Sequence, residues 1–267
     1  MFVDSHFHLG SSPGFRYYDT DIERYLRYMD RLHIAYCIQI HSIGLVTDEL
    51  ARGLEADMQA YESSKGRILS YYIFNPHYPE QSIRLMDRYG DRNIFRAIKL
   101  HPSFHGVYAD DAKYEAAWAY AQSHGLPIMS HTWALSPTNA SQKYSYPPLF
   151  EKYIARYPDV RFIAGHAGGR YDGIVRTVEL ARNYPHVYMD TAGDVYMNGF
   201  IAYLTEHAGA DRVLFASDGF WMDARTQLGM ILEARISLED KAKILSGNAR
   251  KIFRLPLPNE ESPEGHI

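Results

Sequence analysis

The feature that most constrains the fold is a regular alternation of short apolar runs with longer segments of helical periodicity. Several of the runs are almost continuously apolar, which is typical of parallel strands that are buried on both faces. The alternation therefore predicts an α/β protein with a parallel sheet. The eight strand candidates are residues 2–8, 35–41, 68–74, 95–101, 127–131, 160–165, 187–190 and 213–217.

The segments between the runs carry apolar residues at i, i+3, i+4 and i+7, as expected of helices that pack one face on a sheet. Eight strand–helix repeats favour a closed (β/α)8 TIM barrel over a doubly wound open sheet. The Gly-x-Gly-x-x-Gly turn that would favour the open sheet does not follow the first run. We predict a single barrel domain over residues 1–255 and a short tail, rich in proline and acidic residues, over residues 256–267. The helical spacing is clearest in residues 21–32, 48–64, 111–124 and 170–184.

Composition limits the partners that we expect. The formal net charge is −4, so the chain has no excess of positive charge that would attract nucleic acid. Its apolar runs are shorter than the roughly 20 residues that cross a bilayer, and no signal peptide pattern is visible. We therefore expect a cytoplasmic protein. We also expect its partner to be a small-molecule substrate. The single cysteine, Cys37, lies in an apolar run and is expected to be a buried core thiol.

The strongest chemical signal is the pair His6 and His8 in the first strand candidate. Residues two apart on a strand share a face, so both imidazoles are expected to point into the barrel near the carboxyl end of the strand. Two inward histidines fill an apolar core poorly, whereas neutral imidazole is a good ligand for zinc-like cations. For this pair alone, coincidence or local hydrogen bonding remains the alternative.

Three further polar residues stand at the ends of later strand candidates. His131 ends the fifth, His166 follows the sixth and Asp218 follows the eighth. Taken singly, each is interpreted more readily as a cap or a turn than as a ligand. In a barrel, however, the carboxyl ends of the strands converge on one mouth, where the active sites of this fold lie. The conjunction of five groups of ligand type therefore predicts a metal site.

In this order along the chain, the residues resemble the amidohydrolase superfamily, and more closely its amidohydrolase-2 subgroup. The resemblance implies a barrel of the metallo-dependent hydrolase type with one divalent metal per chain, zinc or alternatively manganese. It implies that His6, His8, His131 and Asp218 bind this metal, and that His166 lies beside the metal-bound water or the substrate. Segments similar to the subgroup's blocks span nearly the whole chain and are residues 99–102, 125–131, 165–169, 217–218 and 247–250.

The catalytic residues expected from these positions are Asp218 and His166. A bound cation lowers the pKa of water toward about 7 and polarises a carbonyl group. We expect Asp218 to act as the general base, and His166 to stabilise a developing oxyanion or to act as an acid. Asp190, at the end of the seventh strand candidate, is expected to have mainly a structural use, such as capping Thr191, with the orientation of a ligand as the alternative.

The predicted substrate-binding residues are Lys99, His101 and Trp133. If Lys99 faces inward from the fourth strand candidate, so does His101. Three alternatives remain open for Lys99: a carboxylated bridge between two metals, a charge partner of Asp218, and a contact to a substrate carboxylate. Substrate specificity is expected to depend on the loops after the strands, chiefly residues 10–19, 41–47, 102–110, 133–148 and 219–225.

The main functional expectation is a metal-dependent hydrolase that cleaves a C–N or C–O bond of a small molecule by metal-activated water. The alternative is a zinc-dependent, non-oxidative decarboxylase of an unsaturated or aromatic carboxylic acid, because the subgroup contains both reaction types. The short chain favours the hydrolase, since it leaves little room for substrate-enclosing insertions. A deoxyribonuclease and a non-catalytic binding protein are weaker alternatives, and a homodimer is expected only by analogy with the subgroup.

Overall fold

A computed structural model describes residues 1–10, 21–91 and 93–256 of the 267-residue chain. Most of the predicted specificity loop 10–19 therefore lies outside the described residues. The same is true of the predicted tail 256–267, apart from Pro256.

Within the described residues, eight parallel strands form one sheet in which each strand pairs with the next along the chain. The first and last strands also meet: the Ser5 N–H donates to the Phe215 carbonyl at 3.0 Å, and Phe7 bridges to Gly219. The sheet is thus a nearly closed (β/α)8 barrel, which confirms the predicted fold. The strands are β1 (Phe2–Leu9), β2 (Ile34–His41), β3 (Ile68–Ile73), β4 (Phe95–Leu100), β5 (Ile128–His131), β6 (Phe162–Gly165), β7 (Val187–Asp190) and β8 (Val213–Leu214).

Helices follow the strands along the chain. They are α1 (Ile22–Arg31), α2 (Ser42–Val46), α3 (Leu50–Ser63), α4 (Pro79–Arg88), α5 (Pro102–His105), α6 (Glu115–His124), α7 (Glu151–Arg156), α8 (Asp172–Asn183), α9 (Phe200–Ala208), α10 (Ala224–Leu232), α11 (Leu238–Ala242) and α12 (Asn248–Phe253). Short 3₁₀ turns are Ala112–Tyr114, Ala140–Ser145, Pro147–Phe150, His166–Gly168 and Ala210–Arg212, and a π turn, Lys243–Gly247, links α11 to α12.

The alternation of side chains along β1 explains how one strand serves both the core and a polar site. Phe7 stacks on Tyr25 of α1 with ring centroids 4.1 Å apart, so this face of β1 packs against a helix. Burying an apolar side chain of this size contributes about 1.5–3 kcal/mol to stability. His6 and His8 flank Phe7 and therefore point to the other face. Cys37 is buried in the same core cluster, as predicted.

After α10, the chain forms a continuous helical stretch that runs from α11 through the π turn into α12. The buried Asn248 side chain donates to the carbonyls of Ala210 and Val213 at 2.8 and 2.7 Å, so α12 begins at a satisfied polar anchor. Among the described residues, none of the helices combines the length and the apolar character needed to cross a bilayer.

Candidate metal centre

Three ligand-type atoms meet at the carboxyl end of the barrel. His6 Nε2 and His8 Nε2 are 3.2 Å apart, and Asp218 Oδ1 lies 3.3 Å from the first and 3.1 Å from the second. A tetrahedral cation with bonds of about 2.0–2.1 Å would hold its ligand atoms about 3.3–3.4 Å apart. The three atoms therefore form a triangle whose size suits one face of a metal site.

The backbone at Asp218 is bent to deliver its carboxylate to this triangle. Asp218 has a φ of 58°, in the left-handed region, and its N–H donates to the His6 carbonyl at 2.9 Å. Such a conformation costs a non-glycine residue about 1–3 kcal/mol and is found preferentially at functional sites. His166 has the same unusual backbone, with a φ of 63°. Two candidate site residues thus hold backbone conformations that the surrounding fold must maintain.

The electrostatics of the triangle fit a cation. Burial lowers the pKa of His6 and of His8, which keeps both imidazoles neutral and able to offer a lone pair. Burial alone would raise the pKa of Asp218, but the facing histidines outweigh burial and hold it below its usual value. Two neutral imidazoles and one carboxylate are a suitable donor set for a divalent ion such as zinc or manganese. The chain therefore has a candidate metal-binding site.

His131 and His166 lie beside the triangle, not in it. Among the described residues, the groups of ligand atoms within 4.8 Å of one another are His6–His8–Asp218 and His6–His166–Asp190. The His131 ring lies 4.9 Å from that of His166, and its Nε2 is 2.8 Å from Gln142 Oε1. The structure thus brings three of the four predicted ligands together and leaves His131 bound to a loop residue. Its place in the ligand set stays a prediction.

Asp190 is more closely tied to the site than the sequence indicated. Its Oδ2 lies 2.9 Å from His6 Nδ1, and its Oδ1 accepts a hydrogen bond from the His166 N–H at 2.7 Å. The signal that could have found it is an acidic residue at the carboxyl end of a strand, the same signal that identified Asp218. Gln142, in the 3₁₀ turn Ala140–Ser145, carried no comparable signal.

Lys99 lies at the floor of the site. Its side chain is buried on β4, with Nζ 3.3 Å from His6 Nε2 and 3.0 Å from Met129 Sδ. Burial lowers the pKa of Lys99 to about 8, opposed by the nearby charges of Asp190 and Asp218. Lys99 therefore contacts His6, a candidate metal ligand, and also lines the cavity above the triangle.

A cavity of about 760 Å³ opens above the triangle. Trp221 stacks on the His8 ring with centroids 3.6 Å apart, and Trp133 lies parallel to the His131 ring at 5.8 Å. His101 also stacks on His131, with ring centroids 4.4 Å apart. The three predicted substrate-binding residues, Lys99, His101 and Trp133, all line this cavity.

A glycine-rich turn after β6 brings His166 to the cavity wall. Gly168 has a φ of +85°, and a Cβ at this position would lie 2.1 Å from the Gly173 carbonyl oxygen. Only glycine permits this close approach of the turn to the start of α8. This also explains why α8 begins at Asp172, two residues after the start of the predicted helical segment 170–184.

The fold and the site together define the chain as a (β/α)8 barrel with a candidate metal centre at the carboxyl ends of its strands. The Amidohydro_2 family model, described as amidohydrolase, matches residues 3–255. The chain therefore belongs to the amidohydrolase family, as the sequence resemblance predicted.

Several relatives and structural neighbours are decarboxylases. The γ-resorcylate decarboxylase of Polaromonas sp. strain JS666 is 24% identical over 186 residues, and the match covers 56% of this chain and 57% of that protein. The match thus spans just over half the length of this relative. The structure of 2,6-dihydroxybenzoate decarboxylase from Rhizobium is similar with a TM-score of 0.70 at 15% identity, covering 95% of this chain and 98% of that one. The 5-carboxyvanillate decarboxylase of Novosphingobium aromaticivorans, complexed with manganese and 4-hydroxy-3-methoxy-5-nitrobenzoic acid, has a TM-score of 0.74 at 16% identity, covering 96% of each chain.

These comparisons contradict the prediction of a hydrolase, which is wrong, and favour the decarboxylase alternative. The argument from chain length failed for a physical reason. The loop residues of this chain already enclose a cavity of about 760 Å³ without long insertions, so the length did not discriminate between the two reactions. The ligand set did not discriminate either, because a divalent cation can polarise an ester, an amide or a carboxylate.

Proposed function

We propose that this protein is a metal-dependent, non-oxidative decarboxylase of an aromatic carboxylic acid. The observation that carries the proposal is a single cavity with a candidate cation triangle at its floor and aromatic side chains on its walls. The 24% identical relative, a γ-resorcylate decarboxylase, supports the same reaction class.

The walls suit a planar aromatic substrate. Phe104, Trp133 and Trp221 line the cavity, and aromatic pairs contribute about 0.5–1.5 kcal/mol beyond the burial of their area. A volume of about 760 Å³ lies within the range of small-molecule sites. The substituted ring would lie between these side chains, with its carboxylate directed to the floor, where Lys99 offers a positive charge.

His6, His8 and Asp218 would hold the cation, with His131 as the fourth ligand of the predicted set. The cation is manganese or zinc, and manganese is the ion named in the neighbouring 5-carboxyvanillate decarboxylase structure. When bound, it supplies Lewis acidity to the oxygen atoms of the substrate.

Decarboxylation breaks the bond between a ring carbon and the carboxylate carbon and releases carbon dioxide. The electron pair of that bond stays on the ring carbon, which takes up one proton to form a C–H bond. We assign the delivery of this proton to His166, whose buried ring lies 5.5 Å from Trp133 and 5.1 Å from His6. Asp218 would keep its position in the triangle as an ionised carboxylate, and His166, which lines the cavity, would take up a proton from solvent between turnovers.

The experiment supplies the protein, loaded with manganese or zinc in parallel, with 2,6-dihydroxybenzoate and 5-carboxyvanillate in D₂O. Esters and lactones of similar size test for hydrolysis. We expect carbon dioxide in equal amount to the decarboxylated product, and one deuterium at the vacated ring carbon. His166→Asn is expected to lose about 10²–10⁴-fold in turnover.

The matched control is His207→Asn. His207 lies near the end of α9, outside the cavity, and its Nδ1 is 3.0 Å from the Tyr203 carbonyl oxygen. It is expected to turn over like the unmodified protein. Release of a new acid from the esters without carbon dioxide from any carboxylate would overturn the proposed reaction. Equal turnover of the two histidine variants would remove His166 from it.

A further inference from the structure

One buried carboxylate holds two candidate functional histidines at once. Asp190 has an exposed fraction of 0% at the end of β7. Its Oδ2 lies 2.9 Å from His6 Nδ1. Its Oδ1 accepts hydrogen bonds from the backbone N–H groups of His166, at 2.7 Å, and of Ala192, at 3.1 Å. The side chain of one histidine and the backbone of the other thus depend on the two oxygens of a single residue.

The direction of these hydrogen bonds follows from the donors present. Backbone N–H groups can only donate, so Oδ1 of Asp190 is an acceptor twice over. Burial raises the pKa of the Asp190 carboxyl, but the two backbone donors and the nearby Lys99 oppose this rise and stabilise the ionised carboxylate, which has no proton of its own to give. The remaining oxygen, Oδ2, therefore accepts from His6, and the proton of the His6 ring lies on Nδ1.

We propose that Asp190 is a positioning residue that keeps the His6 proton on Nδ1 and so presents the Nε2 lone pair to the cation. This inference rests on the proposed metal centre. His6 Nε2 is the atom that lies 3.2 Å from His8 Nε2 and 3.3 Å from Asp218 Oδ1. With the opposite tautomer, Nε2 would carry a hydrogen directed into the triangle and could not bind a metal.

The second oxygen of Asp190 acts on the neighbouring site residue. The His166 backbone has a φ of 63°, and its N–H is held by Asp190 Oδ1. Asp190 therefore fixes the ring of a candidate metal ligand and the backbone of the candidate proton donor relative to each other. A change at Asp190 is expected to alter both residues together.

The substitution Asp190→Asn separates this role from simple filling of space. Asparagine has nearly the same shape but carries one acceptor oxygen and one donor NH₂ group. The two backbone N–H groups of His166 and Ala192 require the amide oxygen on their side. The NH₂ group then faces His6 Nδ1, which must accept, and the ring proton moves to Nε2. The variant is therefore expected to invert the His6 tautomer while the barrel stays folded.

The test is ¹⁵N NMR of histidine-labelled, metal-free protein, with the His6 signals assigned by comparison with His6→Asn. We expect the His6 proton on Nδ1 in the unmodified chain and on Nε2 in Asp190→Asn. The Kd for Mn²⁺ and for Zn²⁺, measured by competition with a chromophoric chelator, is expected to rise about 10–100-fold in the variant. The matched control is Asp57→Asn, since Asp57 of α3 is equally buried and does not line the cavity.

A proton on His6 Nε2 in the unmodified protein overturns the inference without any variant, so the test does not depend on the variant folding. An Asp190→Asn protein with the original tautomer, or with the same Kd as Asp57→Asn, overturns it as well. Because the NMR readout needs neither metal nor substrate, it is independent of the proposed reaction. A tautomer switch in a protein that releases no carbon dioxide would refute the decarboxylase proposal and retain the role of Asp190.

Discussion

The floor and the mouth of the cavity are built in different ways. At the floor, His6, His8 and Asp190 are carried by strands and are almost fully buried, and His6 contacts Asp190 on β7 as well as His8 on its own strand. At the mouth, Leu135 and Tyr171 are 56% and 80% exposed on segments outside the strands. The candidate metal centre is thus held by buried strand residues and the cavity entrance is formed by exposed segments, the usual division in a (β/α)8 barrel.

Contacts at the floor are also expected to contribute more free energy than contacts at the mouth. A buried polar group that loses its partner costs about 1–3 kcal/mol, so each contact at the floor restrains its neighbours. At the mouth, Arg170 pairs with Asp194 while both side chains are nearly half exposed, and its guanidinium lies 5.9 Å from the Trp133 ring. An exposed ion pair of this kind contributes only about 0–1 kcal/mol. Substitutions at the floor should therefore change binding and turnover far more than substitutions at the mouth.

The largest effect is expected for His8→Ala, which removes one corner of the triangle. The two remaining atoms, on His6 and Asp218, cannot complete a site alone, so cation affinity should fall by more than the about 100-fold typical of an indirect partner. Elemental analysis after dialysis should find less than 0.1 metal ion per chain, an order-of-magnitude expectation from that loss, and release of carbon dioxide should cease.

The control for this prediction is His124→Ala, at the end of α6, where the ring contacts Ser123 and Tyr120 outside the cavity. It should keep both metal and turnover. A His8→Ala protein that holds as much metal per chain as the unmodified protein would mean that the triangle is not the metal-binding site. Metal binding would then no longer distinguish the floor of the cavity from its mouth.

The sequence was sufficient for the parts of the floor that depend on periodicity. Spacing by two residues placed His6 and His8 on one face, and the position at a strand end placed Asp218 beside them. The role of Asp190 was underestimated because it depends on a hydrogen-bond partner 184 residues away in the chain, which no local pattern encodes. His131 was placed in the ligand set by resemblance, whereas its Nε2 contacts Gln142, a residue whose position depends on the folding of a loop.

The fold was predictable because buried parallel strands have a strong apolar signature, while their bounds were less certain. The eighth strand candidate, residues 213–217, is a regular strand only at Val213–Leu214. The residues after Leu214 contact β1 through isolated hydrogen bonds, such as that from the Ser5 N–H to the Phe215 carbonyl. Because these residues continue the apolar pattern of the strand, the sequence does not show where the regular strand ends. The reaction was less accessible still, since hydrolysis and decarboxylation use the same ligand types and differ in where a proton is delivered.

The next effect in size is expected for Lys99→Met, which removes the charge at the floor and retains much of the side-chain volume. A hydrogen bond to a charged group contributes about 1.5–3 kcal/mol, so kcat/KM should fall about 10–150-fold. Metal content should stay at one ion per chain in both proteins, an expectation checked by elemental analysis alongside the kinetics. Lys152→Met is the control, because Lys152 is exposed and donates to the Asp110 carbonyl.

This variant also separates the three alternatives for Lys99. Two metal ions in the unmodified chain and fewer in Lys99→Met would indicate a carboxylated bridge. A rise in KM with unchanged kcat would indicate a contact to the substrate carboxylate. A fall in kcat with little change in KM would indicate a charge partner of Asp218, whose contribution is largest in the transition state.

The smallest effect is expected at the mouth, for Arg170→Gln. Arg170 lines the cavity but its charge is already paired with Asp194, so the loss of up to about 1 kcal/mol corresponds to at most about a fivefold rise in KM. The kcat value should change less than twofold, an estimate that follows because Arg170 does not contact the triangle. Arg176→Gln removes a similarly exposed ion pair, with Glu179, away from the cavity and should leave both constants unchanged. A fall in kcat for Arg170→Gln comparable to that of Lys99→Met would mean that the mouth takes part in the reaction itself. The exposed residues of this barrel would then act in catalysis as well as in substrate binding.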